Sequence, residues 1–240
     1  LGKLSKRDAI RNNYSIFPIK WEELDGLKEK GLPAEAQLAY ISQLGSSFNN
    51  DDIELDVNKM SKKFKLSSLQ RGGARFDFEK AKSISQKYLS AINSEFLMSK
   101  HPEIFEKLKI AFPGNAVEIV DLIKTRVSLI TDFELELKPF VEDPTRFDIA
   151  TIEKVLRAID ISALDIFEEN IKVNSVDTIK ENIYKVSKEK KLNFGKLMQF
   201  LRLSLVGNLS GPDVFFIIKM IGKNVTLRRV NSLIEKIKKQ

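Results

Sequence analysis

The chain has 240 residues, 42% of them hydrophobic and 30% charged, enough apolar material for one large domain or two to three small ones. Its 40 lysines and arginines outnumber 33 acidic residues, and the net charge of +7 favours polyanionic partners without choosing among them. The absence of cysteine excludes disulfides and thiolate metal sites, and the single histidine, His101, excludes a His-rich one, so no metal site is expected. No apolar run approaches the roughly 18 residues of a membrane span, and no signal peptide is visible, so a soluble, cytoplasmic protein is expected. The missing initiator methionine suggests a piece of a longer protein.

In chain order, the first informative stretch is Lys3-Leu4-Ser5-Lys6-Arg7. A short flexible loop with two lysines and an arginine can fold over a triphosphate, where Lys6 would stabilise charge that develops as pyrophosphate leaves. On their own, the same five residues read first as a disordered basic end. Apolar alternation is brief, at Tyr14, Ile16 and Pro18-Ile19, and Trp21 reads as core. A helix is predicted from Pro33 and Ala34 through Leu44, with Gly45 just past its end. Loops are read at Asn12-Asn13, Ser46-Ser47 and residues 49–52. His101, before Pro102 in a polar stretch, reads as a turn at a helix entry.

Helical spacing then dominates. Val120, Ile123, Val127 and Ile130 predict one helix, which would carry Lys124 and Arg126. Val176, Ile179, Ile183 and Val186 predict another, as do Phe194, Leu197, Met198, Leu201 and Leu205. Arg202 follows that last stripe by one position, about a quarter-turn or more from the core, and on its residues alone it reads first as a solvated surface charge. Gly211-Pro212 offers a tight turn whose backbone could lie close to an unstacked base. Phe215 and Phe216 read as core, and Val230, Leu233, Ile234 and Ile237 form the last stripe. Lys62, Lys63, Lys65, Lys223, Arg228, Arg229, Lys236, Lys238 and Lys239 read mostly as solvated faces. The adjacent pairs Glu22-Glu23, Asp51-Asp52 and Glu168-Glu169 do not face each other as an acid–base pair would. The fold class is all-α, in three segments: 1–80, 81–140 and 141–240.

Several landmarks in sequence resemble the bacterial-type glutamyl-tRNA synthetases. Residues 3–7 are similar to the KMSKS-type loop of class I synthetases in its KLSKR form. The stretch Lys30-Gly31-Leu32-Pro33-Ala34-Glu35-Ala36-Gln37-Leu38-Ala39-Tyr40-Ile41-Ser42-Gln43-Leu44-Gly45-Ser46-Ser47 resembles the family's GYLPEALLNYLALLGWS, and Phe76-Asp77 resembles its phenylalanine–aspartate pair. Residues 122–129 are similar to the arginine-bearing helix of the first anticodon-binding subdomain, and residues 193–229 follow xxGKLxQPLRxALTG and SGPxLFEILxLLGKxxxLxRL. The likeness covers essentially the whole chain and is weakest between about 130 and 175.

The resemblance implies a KMSKS-type loop and stem-contact segment over 1–80, with anticodon-binding subdomains over 81–140 and 141–240. It implies an ATP-binding loop at Lys3, Leu4, Ser5, Lys6 and Arg7, with Lys6 catalytic. It places tRNA contacts at Lys124, Arg126, Arg202, Pro212 and Val214, with Arg126 reading the last anticodon base. The full-length enzyme would activate glutamate with ATP and Mg2+ and transfer it to tRNA(Glu), working as a monomer. The present chain would bind tRNA weakly, bind no cofactor by itself and be inactive alone. Two departures stand out: Asp8-Ala9 follow the loop where the family often has His-Gly, and Ser46 replaces the tryptophan of LGW. The Ser46 change resembles a relaxed subgroup that charges a Gln-accepting tRNA, whereas retention of Arg126 argues against relaxed reading. A stand-alone helical RNA-binding module and a helical protein-interaction scaffold are the alternatives.

Overall fold

The computed structural model describes residues 6–12, 17–47, 53–70, 72, 76–156, 164–173 and 175–238. Among these the chain is all-α, as the apolar spacing predicts, with thirteen α-helices and only isolated bridges in place of strands. They are α1 (Lys6–Asn12), α2 (Ala34–Leu44), α3 (Val57–Lys63), α4 (Phe78–Ala91), α5 (Ser94–Lys100), α6 (Pro102–Ala111) and α7 (Ala116–Ile123). Then follow α8 (Asp132–Val141), α9 (Ile149–Leu156), α10 (Asp165–Val173), α11 (Val176–Glu189), α12 (Phe194–Val206) and α13 (Val214–Lys238), the last broken at Gly222. None of the described helices is long and apolar enough to cross a membrane. By contact the chain forms two compact units, residues 1–105 with 116–135, and 106–115 with 136–240.

The first unit is built on α2 and α4, whose Ala36, Ala39, Tyr40, Ala81 and Ile84 share a core with Leu27 and Leu32. Pro33 sits at the N-cap of α2 with φ −59°, and Gly45 follows its last turn. The Phe76-Asp77 pair has a local physical meaning. Phe76 packs edge-on against Tyr40, and the Asp77 carboxylate accepts the Glu79 and Lys80 amides that open α4. The Asp77 amide itself donates to the Tyr40 hydroxyl, which ties the start of α4 to α2. Gly31 adopts φ +87°, and a side chain there would meet Thr131, whose neighbour Ile130 donates to the Gly31 carbonyl at 2.7 Å.

Two expectations fail in this unit. The helix predicted across residues 120–130 ends at Ile123. The next amide donors go elsewhere: Ser128 and Leu129 donate to the Asp132 carboxylate at 3.0 and 2.9 Å, and Ile130 donates to Gly31. Val127 and Ile130 are nevertheless buried, which is why their spacing imitates a longer helix. Trp21, expected in the core, is 40% exposed and stacks on Phe17. The bridge between Trp21 and Leu24 turns Leu24 inward instead. His101 closes α5 through its amide, in keeping with the turn reading.

In the second unit α12 lies against α9, α11 and α13, and its buried Leu197, Phe200, Leu201, Leu203 and Leu205 form the centre. Phe200 stacks on Phe167 of α10 at 5.7 Å. Gly207 ends α12 at φ +85°, and a Cβ there would lie 2.5 Å from the Arg146 carbonyl oxygen. Arg229, read from sequence as a solvated charge, is 4% exposed. Its guanidinium donates to the carbonyls of Pro139 (2.6 Å), Leu205 (3.1 Å) and Glu142 (2.8 Å), and to the Asp143 carboxylate (2.8 Å). Arg228 supplies Asp143 with two further bonds from the exposed side. One side chain of α13 therefore holds together the end of α8, the end of α12 and the chain that follows α8.

Burial works to raise the Asp143 pKa, but the hydrogen bonds and charges of Arg229 and Arg228 outweigh it and hold the carboxyl below its ordinary value. An unfolded Asp titrates near about 3.9. The contribution of this pairing is therefore complete above that pH and is lost as pH falls through the lower folded value. Arg229→Met is expected to lower the unfolding free energy by about 3 kcal/mol in urea titration, because it strips partners from three carbonyls and a carboxylate. Arg228→Met, on an exposed side chain, is expected to cost under about 1 kcal/mol. Asp143→Asn should flatten the acid limb of stability below the ordinary aspartate range.

Candidate functional site

The sequence-predicted residues fall into three groups. Lys3, Leu4 and Ser5 lie outside the described residues, Lys6 opens α1, and Arg7 follows it with its side chain exposed. Lys124 and Arg126 stand in the turn after α7. Arg202, Pro212 and Val214 come together where the end of α12 passes into α13.

Lys124 is not presented to a ligand. Its side chain is 14% exposed, and its ammonium donates to the Asp121 carboxylate at 2.7 Å and to the Ile92 carbonyl at 2.9 Å. That hydrogen bond, with another from Ser94, keeps the Asp121 carboxyl below its usual range. Lys124 thus bolts the end of α7 to the turn between α4 and α5. Arg126, two residues on, is exposed, and its amide closes the turn on the Ile123 carbonyl.

Around Arg202 the structure forms a hollow of about 310 Å³. α11 contributes Lys180; α12 contributes Met198, Gln199 and Arg202; the following loop contributes Leu209 and Asp213; and α13 contributes Val214 and Phe215. The Arg202 side chain is half-buried, neither sealed in apolar packing nor fully solvated. Its Nη1 donates to the carbonyls of Gly211 (3.2 Å) and Pro212 (2.8 Å). The arginine therefore braces the turn while its guanidinium lines the hollow. Asp213 caps α13 by accepting the Phe216 amide at 2.9 Å. Pro212 and Val214 are buried, so they shape the floor and the turn rather than reach outward.

Phe215 departs from its core reading. It is half-buried on the wall of the hollow, with the Lys180 ammonium 5.7 Å from its ring centroid. Phe216 packs edge-on against Phe140. No spacing rule in the sequence relates Lys180 on α11 to Phe215 at the start of α13, so their meeting is visible only in the fold. Apolar walls with a guanidinium, a carboxylate and an amide suit a flat group with polar edges. Among the described residues no cluster of three or more His, Asp or Glu could hold a metal ion.

The profile of the anticodon-binding domain family matches residues 79–234, a span that includes Arg126 and the whole hollow. The chain belongs to that family. It is similar to the glutamate–tRNA ligase of Christiangramia forsetii, with 32% identity over 249 residues, 99% of this chain and 49% of the relative. The glutamate–tRNA ligase of Phocaeicola vulgatus is 32% identical over 99% of this chain and 49% of its own length. A crystal structure of a glutamate tRNA ligase from Elizabethkingia meningosepticum, in complex with its amino acid, superposes with a TM-score of 0.82 at 31% identity, covering 98% of this chain and 49% of that one. The chain spans about half the length of the relatives it matches.

Arg202→Gln removes the two bonds to the turn carbonyls. It is expected to lower stability by about 1–2 kcal/mol and to speed hydrogen exchange at the Phe216 and Ile217 amides, read by mass spectrometry.

Proposed function

We propose that this chain is the tRNA-binding half of a glutamate–tRNA ligase, and that the hollow at Arg202 and the exposed Arg126, each within its own unit, contact the anticodon loop. The observation that carries the reading is the coincidence of the hollow with the anticodon-binding family match over 79–234. Single-stranded loops are read by splayed bases set against planar groups and backbone, which is what Arg202 and its braced turn offer.

In the whole protein, glutamate would be activated with ATP and Mg2+ and esterified to tRNA(Glu). The segment Lys3, Leu4, Ser5, Lys6 and Arg7, whose last two residues open α1, would neutralise the triphosphate, with Lys6 nearest the phosphates. A cytoplasmic, monomeric protein fits this role. Ser46 points toward acceptance of a glutamine-specific tRNA and Arg126 against it, so both tRNAs belong in the test. Ser46 itself is buried and donates to the Ser42 carbonyl at 2.6 Å, a local packing role.

The test is filter binding of the 240-residue chain to tRNA(Glu) and tRNA(Gln) transcripts at several salt concentrations. Binding that weakens with salt and favours one anticodon is expected, together with no glutamate-dependent pyrophosphate exchange by this chain alone. Arg126→Gln should reduce the preference between the two anticodons by about 5- to 100-fold, the worth of a bidentate base contact. Affinity indifferent to salt and to anticodon would refute the reading.

A further inference from the structure

We propose that Lys180 is a phosphate-contacting residue of the hollow, and that the ring of Phe215 holds its ammonium at the mouth before any nucleotide arrives. The inference rests on the tRNA-binding reading of the hollow and adds a residue and a mechanism to it. α11 buries Ile179 and Ile183 on its inner side, which leaves Lys180 exposed beside them at the edge of the hollow. The floor is apolar: Val214 is buried, and Met198 and Phe215 are half-buried. A nucleotide can set its flat base against this floor and the Arg202 guanidinium that lines the hollow, which leaves its phosphate at the mouth. The cation at the rim is then the group the phosphate meets.

The Lys180 ammonium stands 5.7 Å from the Phe215 ring centroid, within reach of the ring's negative face. A lysine has four rotatable bonds, and fixing it on binding costs conformational freedom. The ring reduces that cost by restricting the ammonium to the mouth beforehand. Asp213, the carboxylate of the hollow, commits its Oδ1 to capping α13 through the Phe216 amide. On this account Phe215 acts through Lys180 rather than as a stacking platform, and the two residues are energetically coupled.

The experiment measures affinity of the chain for a tRNA(Glu) transcript between about 50 and 200 mM salt. Lys180→Met, at an exposed position that leaves the thermal melt unchanged, is expected to weaken binding about 3- to 10-fold, and to lower the slope of log affinity against log salt by about 0.7, the value for one phosphate contact on a single strand. Lys180→Arg should restore the slope. Phe215→Leu should weaken binding about 2- to 3-fold in the original chain and have no further effect when added to Lys180→Met. Phe215→Tyr, which keeps the ring, should behave as the original and guards against a folding defect. An unchanged salt slope in Lys180→Met, with the original chain binding normally, overturns the phosphate role. A Phe215→Leu effect of equal size in both backgrounds overturns the coupling. If the original chain shows no salt-dependent tRNA binding, the tRNA reading itself fails and this inference fails with it.

Discussion

The second unit is organised around a guanidinium taken out of water. Arg229 reaches from α13 to three carbonyl oxygens and one carboxylate, so its charge and its planar donors are matched where it lies. A buried charge is tolerated only under such matching, and the geometry that provides it leaves little freedom to the segments involved. The Leu205 carbonyl belongs to the last turn of α12 and Arg229 to α13, and these same two helices carry Arg202 and Phe215. The packing that satisfies Arg229 is thereby also the packing that sets the walls of the hollow. Gly207 completes the arrangement, because only a residue without Cβ lets the end of α12 lie on the Arg146 carbonyl.

The basic residues divide by what they touch. Arg229 and Lys124 are structural, with acceptors of their own inside the fold. Arg202 has a double part, since it braces the turn and presents a face to the hollow. Lys180, Arg126 and Arg7 are exposed. Lys236 lies over the ring of Phe147, and Lys63 pairs with Glu54. The net charge of +7 therefore overstates the electropositive surface at any one place, and a ligand meets chiefly the cations at the rims.

The resembling motifs are largely structural in content. Gly31 is needed for its positive φ against Thr131 and Asp77 for capping α4, whereas Gly45 follows α2 at φ −117° with open space where a Cβ would stand. Ser46 fills a buried position by donating to Ser42. The stretch from Phe194 to Phe215 combines a motif with a hollow, and there Pro212 and Val214 contribute shape while Arg202 contributes the charged edge.

By itself the sequence determined the helical class and the helices at 34–44, 176–189, 194–206 and the end of the chain, because 3.6-residue spacing and a proline at a helix start act over a few neighbours. It also pointed to Arg202 and the turn at 211–212, since these lie within one local stretch. The end of α7 at Ile123, the outward side of Trp21, the burial of Arg229 and the meeting of Lys180 with Phe215 were decided only by tertiary structure. Where a partner decides the outcome, it lies far along the chain: Gly31 for Ile130, Asp143 for Arg229, and α11 for the start of α13. A side chain's charge is written in the sequence, but whether it serves the fold or a ligand depends on which acceptors the folded chain brings to it.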